Sequence, residues 1–276
     1  MTIFEKIPVP VMNADNKCNF VLIEHRVEHF SPRQDESDAE ALRRILNHLA
    51  LAGWEIIDIC GDEVRMPNLI FHKTGRIGHI PQYIIEEIHP EKGQSDEQAV
   101  NDKFIQYLNT QWVPACVLDK LFSPPIVVMK KIERPCTDVR AVKVGADLFA
   151  NLEDTLVYEL LVHQMKDNLE LACVMHGGID PTLIMIAKDP DVHYEYLVEH
   201  AKGGFFSNQV STLSDLIERR TDEGWQVAGT FEDAFFWPCV IFQRNVNYIP
   251  VPTPAMLETE RNIFNGSKIV DNLQGA

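Results

Sequence analysis

The chain contains no run of 18 apolar residues, so no segment is expected to cross a bilayer as a helix. Its first residues, Met1-Thr2-Ile3-Phe4-Glu5-Lys6, lack the basic region and apolar stretch of a secretory signal. Cysteine is sparse and scattered. Cys18, Cys60, Cys116, Cys136, Cys173 and Cys239 include no C-x-x-C pair. Such thiols are expected to be reduced and mostly buried, in a cytoplasmic protein. Cations are scarce as well: 25 Lys+Arg face 41 Asp+Glu, for a net charge of −16. That field repels phosphate, so neither direct nucleic-acid binding nor membrane binding is expected.

Catalytic signatures are missing too. There is no Gly-x-Ser-x-Gly around His176-Gly177-Gly178, which reads as a hairpin turn, and Gly203-Gly204 lacks a phosphate-binding context. Glu24-His25 and Glu199-His200 pair a carboxylate with a histidine, but strand neighbours point to opposite faces. His25 and His29 share a spacing without a third ligand nearby. No catalytic residue, cofactor or metal site is assigned.

What is present is a fourfold repeat. Taking Trp54 as reference, the equivalent positions are Trp112, Leu169 and Trp225, spaced by 58, 57 and 56 residues. A proline follows each (Pro67, Pro124, Pro181, Pro238), then an apolar run ending in Lys73, Lys130, Lys188 or Arg244. Each unit opens with a β-branched or aromatic run: Phe20–His25, Tyr83–Ile88, Val139–Val144 and Tyr194–His200. A helical pattern comes next, such as Leu42, Ile45, Leu46 and Leu49, with expected N-caps Asp38, Ser95 or Asp96, Asn151 and Ser211. Gly53 and Gly224 are expected to end helices in a left-handed cap. Gln111 and Asn168 replace them in units 2 and 3, so altered helix ends are expected there. The fold expected is α+β: four diverged β-α-β-β repeats forming antiparallel sheets with helices packed on one face. The division expected is an extended arm over 1–19, repeats 1 and 2 over 20–134, repeats 3 and 4 over 135–247, and a Pro-rich tail over 248–276. The repeats are expected as two pseudo-dimers, with other pairings, such as 1 with 4, open. Ile7-Pro8-Val9-Pro10 and Ile249-Pro250-Val251-Pro252 read as extended tails, lying on the protein's own surface or reaching a second chain.

Units 1 and 4 resemble a small bacterial domain family of unknown function, with its Tyr-x-Tyr strand, Gly-Trp-Glu-Leu turn and aromatic-x-cation strand end. The matching residues are Gly53, Trp54, Glu55, Ile56, Phe71 and Lys73, then Tyr194, Tyr196, Gly224, Trp225, Phe242 and Arg244. The resemblance implies a fold and no activity.

The acidity is uneven. Residues 135–247 carry −10 of the total −16. The candidate partner-binding surface is Glu153, Asp154, Asp189, Asp191, Glu195, Glu199, Asp222, Glu223, Glu232 and Asp233. Carboxylates in such numbers steer association with cationic chains. The expected function is a non-enzymatic inhibitor or adaptor that occupies a basic, nucleic-acid-binding segment of a partner protein. In size, acidity and lack of catalytic motifs the profile resembles that of bacteriophage degradosome-interacting inhibitors. The resemblance implies a homodimer in the host cytoplasm that covers RNA-binding regions of ribonuclease E. Two alternatives stay open: an enzyme or small-ligand protein with a site between repeats, with His25, His176 and His200 as first suspects, and a structural subunit joined through its Pro-rich tails.

Overall fold

A computed structural model describes residues 7–12, 18–61, 67–73, 80–120, 123–145, 152–177, 180–201, 209–232 and 237–246. A leading strand, β1 (Ile7–Met12), precedes four β-α-β-β units. Unit 1 is β2 (Cys18–His29), α1 (Asp38–Leu51), β3 (Glu55–Cys60) and β4 (Asn68–Lys73). Unit 2 is β5 (Tyr83–Glu87), α2 (Asp96–Gln106), β6 (Trp112–Lys120) and β7 (Ser123–Lys131). Unit 3 is β8 (Val139–Lys143), α3 (Leu152–Asp167), β9 (Leu169–Gly177) and β10 (Asp180–Ala187). Unit 4 is β11 (Tyr194–His200), α4 (Gln209–Asp222), β12 (Gln226–Glu232) and β13 (Pro238–Asn245). In each unit the last strand lies in the middle of an antiparallel sheet, between the first strand and the one after the helix. The expected α+β architecture of four β-α-β-β repeats with antiparallel sheets is the observed one. β1 adds a fourth strand to sheet 1, with Pro8 opposite Leu22 and Pro10 opposite Phe20. The N-terminal Ile-Pro-Val-Pro phrase therefore lies along its own chain; the C-terminal phrase falls outside the described residues.

The repeat landmarks have local causes. The proline at the start of each unit's last strand lacks a donor, and its carbonyl accepts from the residue just past the first strand. The four bonds are Phe30 N–H to Pro67, Ile88 to Pro125, Val144 to Pro181 and Ala201 to Pro238, at 2.7, 2.8, 3.0 and 2.7 Å. In unit 2 the equivalent proline is thus Pro125, one residue beyond the expected Pro124. Gly53 (φ 80°) and Gly224 (φ 86°) end α1 and α4 in the left-handed region. The amides of Trp54 and Trp225 then reach back to the carbonyls of Leu49 and Arg220, closing the helix ends as a glycine cap does. Asn168 (φ 55°) takes the same conformation in unit 3, whereas unit 2 delegates it to Asn109 (φ 63°), two residues before Gln111. The strand-end cation explains the tryptophan: Lys73 lies over Trp54 at 5.6 Å, and Arg244 over Trp225 at 4.4 Å, each a cation–π contact.

Two expected caps shift. Ser37, not Asp38, caps α1, in a capping box with Glu40; its hydroxyl can face the free amides while Asp38 enters the first turn. Ser95 caps α2 with Gln98. Ser211 lies inside α4, which begins at Gln209, and Asn151 is outside the described residues.

The pairing of units departs from two pseudo-dimers. Four apolar cores join unit 1 to 2, 2 to 3, 3 to 4, and 4 back to 1. Helix α1 packs on β5, α2 on β8, α3 on β11 and α4 on β2. Each sheet therefore has its own helix against one face and the preceding unit's helix against the other. The residues near 134/135, expected as a joint between pairs, are bridged by a core containing Val127 and Met129 of unit 2 with Cys173 and Ile184 of unit 3. Sheets covered on both faces call for continuous apolar strands rather than alternation. β4 shows this directly: Leu69 and Phe71 face the core around α1, and Ile70 faces the core around α4.

Candidate functional site

The strands after the helices, β3, β6, β9 and β12, touch in cyclic order around the ring centre. Each carries an irregularity in its ladder at the same place: between Ile56 and Asp58, Pro114 and Cys116, Leu171 and Cys173, and Val227 and Gly229. A bulge inserts one unpaired residue and bends the strand. Four equivalent bulges turn the strands around the axis. The residues just past them are Asp58, Cys116, Cys173 and Gly229, so one carboxyl group enters an otherwise uncharged set.

Asp58 is fully buried. Its Oδ2 accepts from the amide of Thr230 at 2.6 Å and lies 3.3 Å from Thr230 Oγ1; its Oδ1 accepts from the amide of Ile59 at 2.9 Å. The backbone of Val174 also donates. Units 1, 3 and 4 thus meet on one side chain. Desolvation dominates these donors and pushes its pKa up to about 8. Gly229 makes the room: an added Cβ would stand 2.9 Å from Val174 Cγ2 and 3.4 Å from Asp58 Oδ2. Burial likewise raises the thiols of Cys60, Cys116 and Cys173, which suits buried thiols and not nucleophiles.

The acidic candidates separate into two groups. Several are occupied by the protein's own cations. Glu199 binds Arg219 and Arg220, Glu223 binds Arg220 at 2.5 Å, and Glu195 binds Arg244 at 2.5 Å. Glu153 meets His200 Nε2, and Asp189 stands 3.7 Å from Arg134. Asp154, Asp189, Asp191 and Asp222 are exposed. Partial burial, then neighbouring Glu223, raises the pKa of Asp222. Glu232 ends β12 and is half-buried. Asp233 lies outside the described residues. The expected unbroken acidic surface is therefore interrupted by arginines of α4 and β13.

An open cleft of about 540 Å³ brings two candidates together. It runs between the start of α3, the end of β11 and α4, and is lined by Glu153, Glu199, His200, Thr212, Asp215 and Arg219. Asp215 was not singled out in the sequence; its only signal is helical spacing to Arg219 on α4. From the cleft inward Glu153, His200 and Cys239 follow one another, with His200 Nδ1 3.1 Å from Cys239 Sγ. That order is the order of a base-activated thiol. Cys239, however, is fully buried in the core between units 3 and 4 and is not part of the cleft lining.

The other histidine suspects are placed as follows. His25 is buried against α4, its Nδ1 3.4 Å from Thr221 Oγ1. Desolvation, then His72, lowers its pKa to about 3, so it is neutral. His29, which shares its spacing, is exposed. The side chain of His176 lies outside the described residues. Among the described residues no three His, Cys, Asp or Glu side chains are grouped to hold a metal ion, and no helix is long and apolar enough to cross a membrane. Compared with known protein families, curated proteins and solved structures, the chain matches none.

Proposed function

We propose that the protein is a non-enzymatic binder of a cationic protein segment, with the acidic cleft between units 3 and 4 and the exposed carboxylates around it as the contact surface. The observation that carries this reading is the charge balance. With 41 acids against 25 Lys and Arg, pairing every cation internally still leaves a large excess of acids, even with Asp58 buried at the ring centre. Asp215 lines the cleft with Glu153 and Glu199, exposed Asp154 follows Glu153 on α3, and exposed Asp222 ends α4. Single exposed ion pairs stabilise by only about 0.2–1 kcal/mol, so affinity requires several at once, and an Arg/Lys-rich segment supplies them. An RNA-binding region of ribonuclease E has this chemistry. A phage inhibitor of the RNA degradosome that acts as a homodimer would present two such surfaces and deny RNA its site.

The internal pairs bear on the mechanism. Arg219 is exposed and holds Glu199 at the mouth of the cleft. An incoming guanidinium competes with it, so recognition exchanges one ion pair for another at little cost and gains from the acids left over. The test is fluorescence anisotropy of a labelled Arg-rich peptide against the full chain. Affinity should fall steeply as ionic strength rises and the screening length contracts from about 30 Å at 0.01 M to about 8 Å at 0.15 M. Asp154→Asn combined with Asp215→Asn should weaken it further. Absence of low-salt binding, or binding indifferent to salt and to both substitutions, refutes the reading.

A further inference from the structure

On the far side of unit 4, units 2, 3 and 4 enclose a second cleft of about 480 Å³, within the size range of small-ligand sites. Its lining contrasts with the rest of the molecule. Lys130, Arg134 and Lys188 face Glu170 and Asp189, giving a local charge of +1 in a chain of net −16. The lysines are fixed: Lys130 Nζ donates to Glu55 at 2.7 Å, and Lys188 Nζ to the carbonyl oxygens of Asp189, at 3.1 Å, and Val192. Arg134 is not fixed. Its side chain is 88% exposed and its guanidinium is 3.7 Å from the Asp189 carboxylate, a loose pair that a ligand carboxylate can replace with a bidentate one. Opposite in character is Gln243, whose Oε1 is buried without a hydrogen-bond partner among the described residues. A buried acceptor left without a donor is costly, and a ligand N–H supplies one. Glu170, largely buried and close to Lys130, Lys188 and Tyr194, adds a second acceptor. Pro114, Pro135 and Ile186 contribute apolar walls.

We propose that this cleft binds a small zwitterion with an apolar side chain, of the α-amino-acid class. Its carboxylate pairs with Arg134, its ammonium donates to Gln243 Oε1 and Glu170, and its side chain lies on the proline-rich wall. A molecule of zero net charge also reaches the site without opposing the protein's negative field, which an anion must do. The site is separate from the acidic cleft and does not depend on the reading given to that surface.

The test uses the full chain with L-phenylalanine, 3-phenylpropionate and phenethylamine, the last two each lacking one of its charges, by calorimetry and thermal shift. Phenylalanine should bind and raise the melting temperature in proportion to its saturation of the folded state. Each analogue should bind at least about tenfold more weakly. Arg134→Ala, at an exposed position, should leave the free protein's melting temperature unchanged and weaken phenylalanine about tenfold, and Gln243→Met should weaken it similarly. No binding of phenylalanine, equal binding of the three compounds, or undiminished binding by Arg134→Ala overturns the proposal.

Discussion

Asp58 and Asp222 are both aspartates whose pKa is raised, yet one stands at the centre of the ring and the other at the exposed end of α4. Burial acts on each, and its consequence depends on what else the carboxyl group holds. Asp58 gathers backbone donors from units 3 and 4, so its loss leaves buried N–H groups without acceptors. Asp222 stands next to Glu223, another acid, so its loss removes repulsion. The lesson is that carboxylates here differ in kind: Asp58 organises the architecture, exposed acids such as Asp222 set the outer field, and substitutions should tell them apart.

The largest expected effect is at the centre. Asp58→Ala should destabilise by about 3 kcal/mol, combining unsatisfied buried amides with a small cavity, measured by chemical denaturation. Gly229→Ala should cost about 1–3 kcal/mol through overpacking against Val174. If it is neutral, the proximity of units 3 and 4 at this point is wrong.

The pH dependence comes next. Asp58 titrates near 8 when folded and near 4 when unfolded. The folded state holds its proton more tightly, so this group's contribution is complete below about pH 4, declines as pH rises toward about 8, and is then exhausted. Unfolding of Asp58→Asn, compared with the parent across that window, should lack this decline; parallel curves would refute a protonated Asp58. Asn cannot accept from the amides of both Ile59 and Thr230, so the variant is also less stable at acid pH.

Smaller effects lie at the helix ends and the rim. Asn109→Gly should stabilise by about 0.5–1 kcal/mol, because glycine enters the left-handed region without a Cβ penalty. Gly53→Ala should cost about 1 kcal/mol for the converse reason. Asp154→Asn and Asp222→Asn should each alter stability by less than about 0.5 kcal/mol, while Asp154→Asn still weakens the binding of an Arg-rich peptide. Loss of stability without loss of binding would reverse the division between the two kinds of carboxylate.

What was legible in the sequence was local. The spacing of Trp54, Trp112, Leu169 and Trp225 located every helix-to-strand junction, and Gly53 and Gly224 announced their caps. The burial of Cys60, Cys116, Cys173 and Cys239 followed from apolar strand context. What was not legible depends on residues brought together from different units. Nothing adjacent to Asp58 marks Thr230 as its partner, 172 residues away. The ion pairs of Glu199 with Arg219 and Arg220 span 20 and 21 residues, a distance at which charge counting sees two separate clusters and geometry sees one neutralised group. The cyclic order of units was hidden for the same reason: the central strands β4, β7, β10 and β13 are apolar on both faces, which shows that two layers cover them without naming them.

Closure of the ring also sets the order in which the molecule is completed during synthesis. The second face of sheet 1 is covered by Leu213, Leu216 and Ile217 of α4 and adjoins Phe242 of β13, residues of the last unit. A nascent polypeptide therefore carries Val27, Ile57 and Ile70 uncovered until unit 4 has left the ribosome. Linking unit 4 directly to unit 1 and opening the ring between other units should preserve the architecture, since in a closed cycle no unit is first by packing, only by the order of its codons.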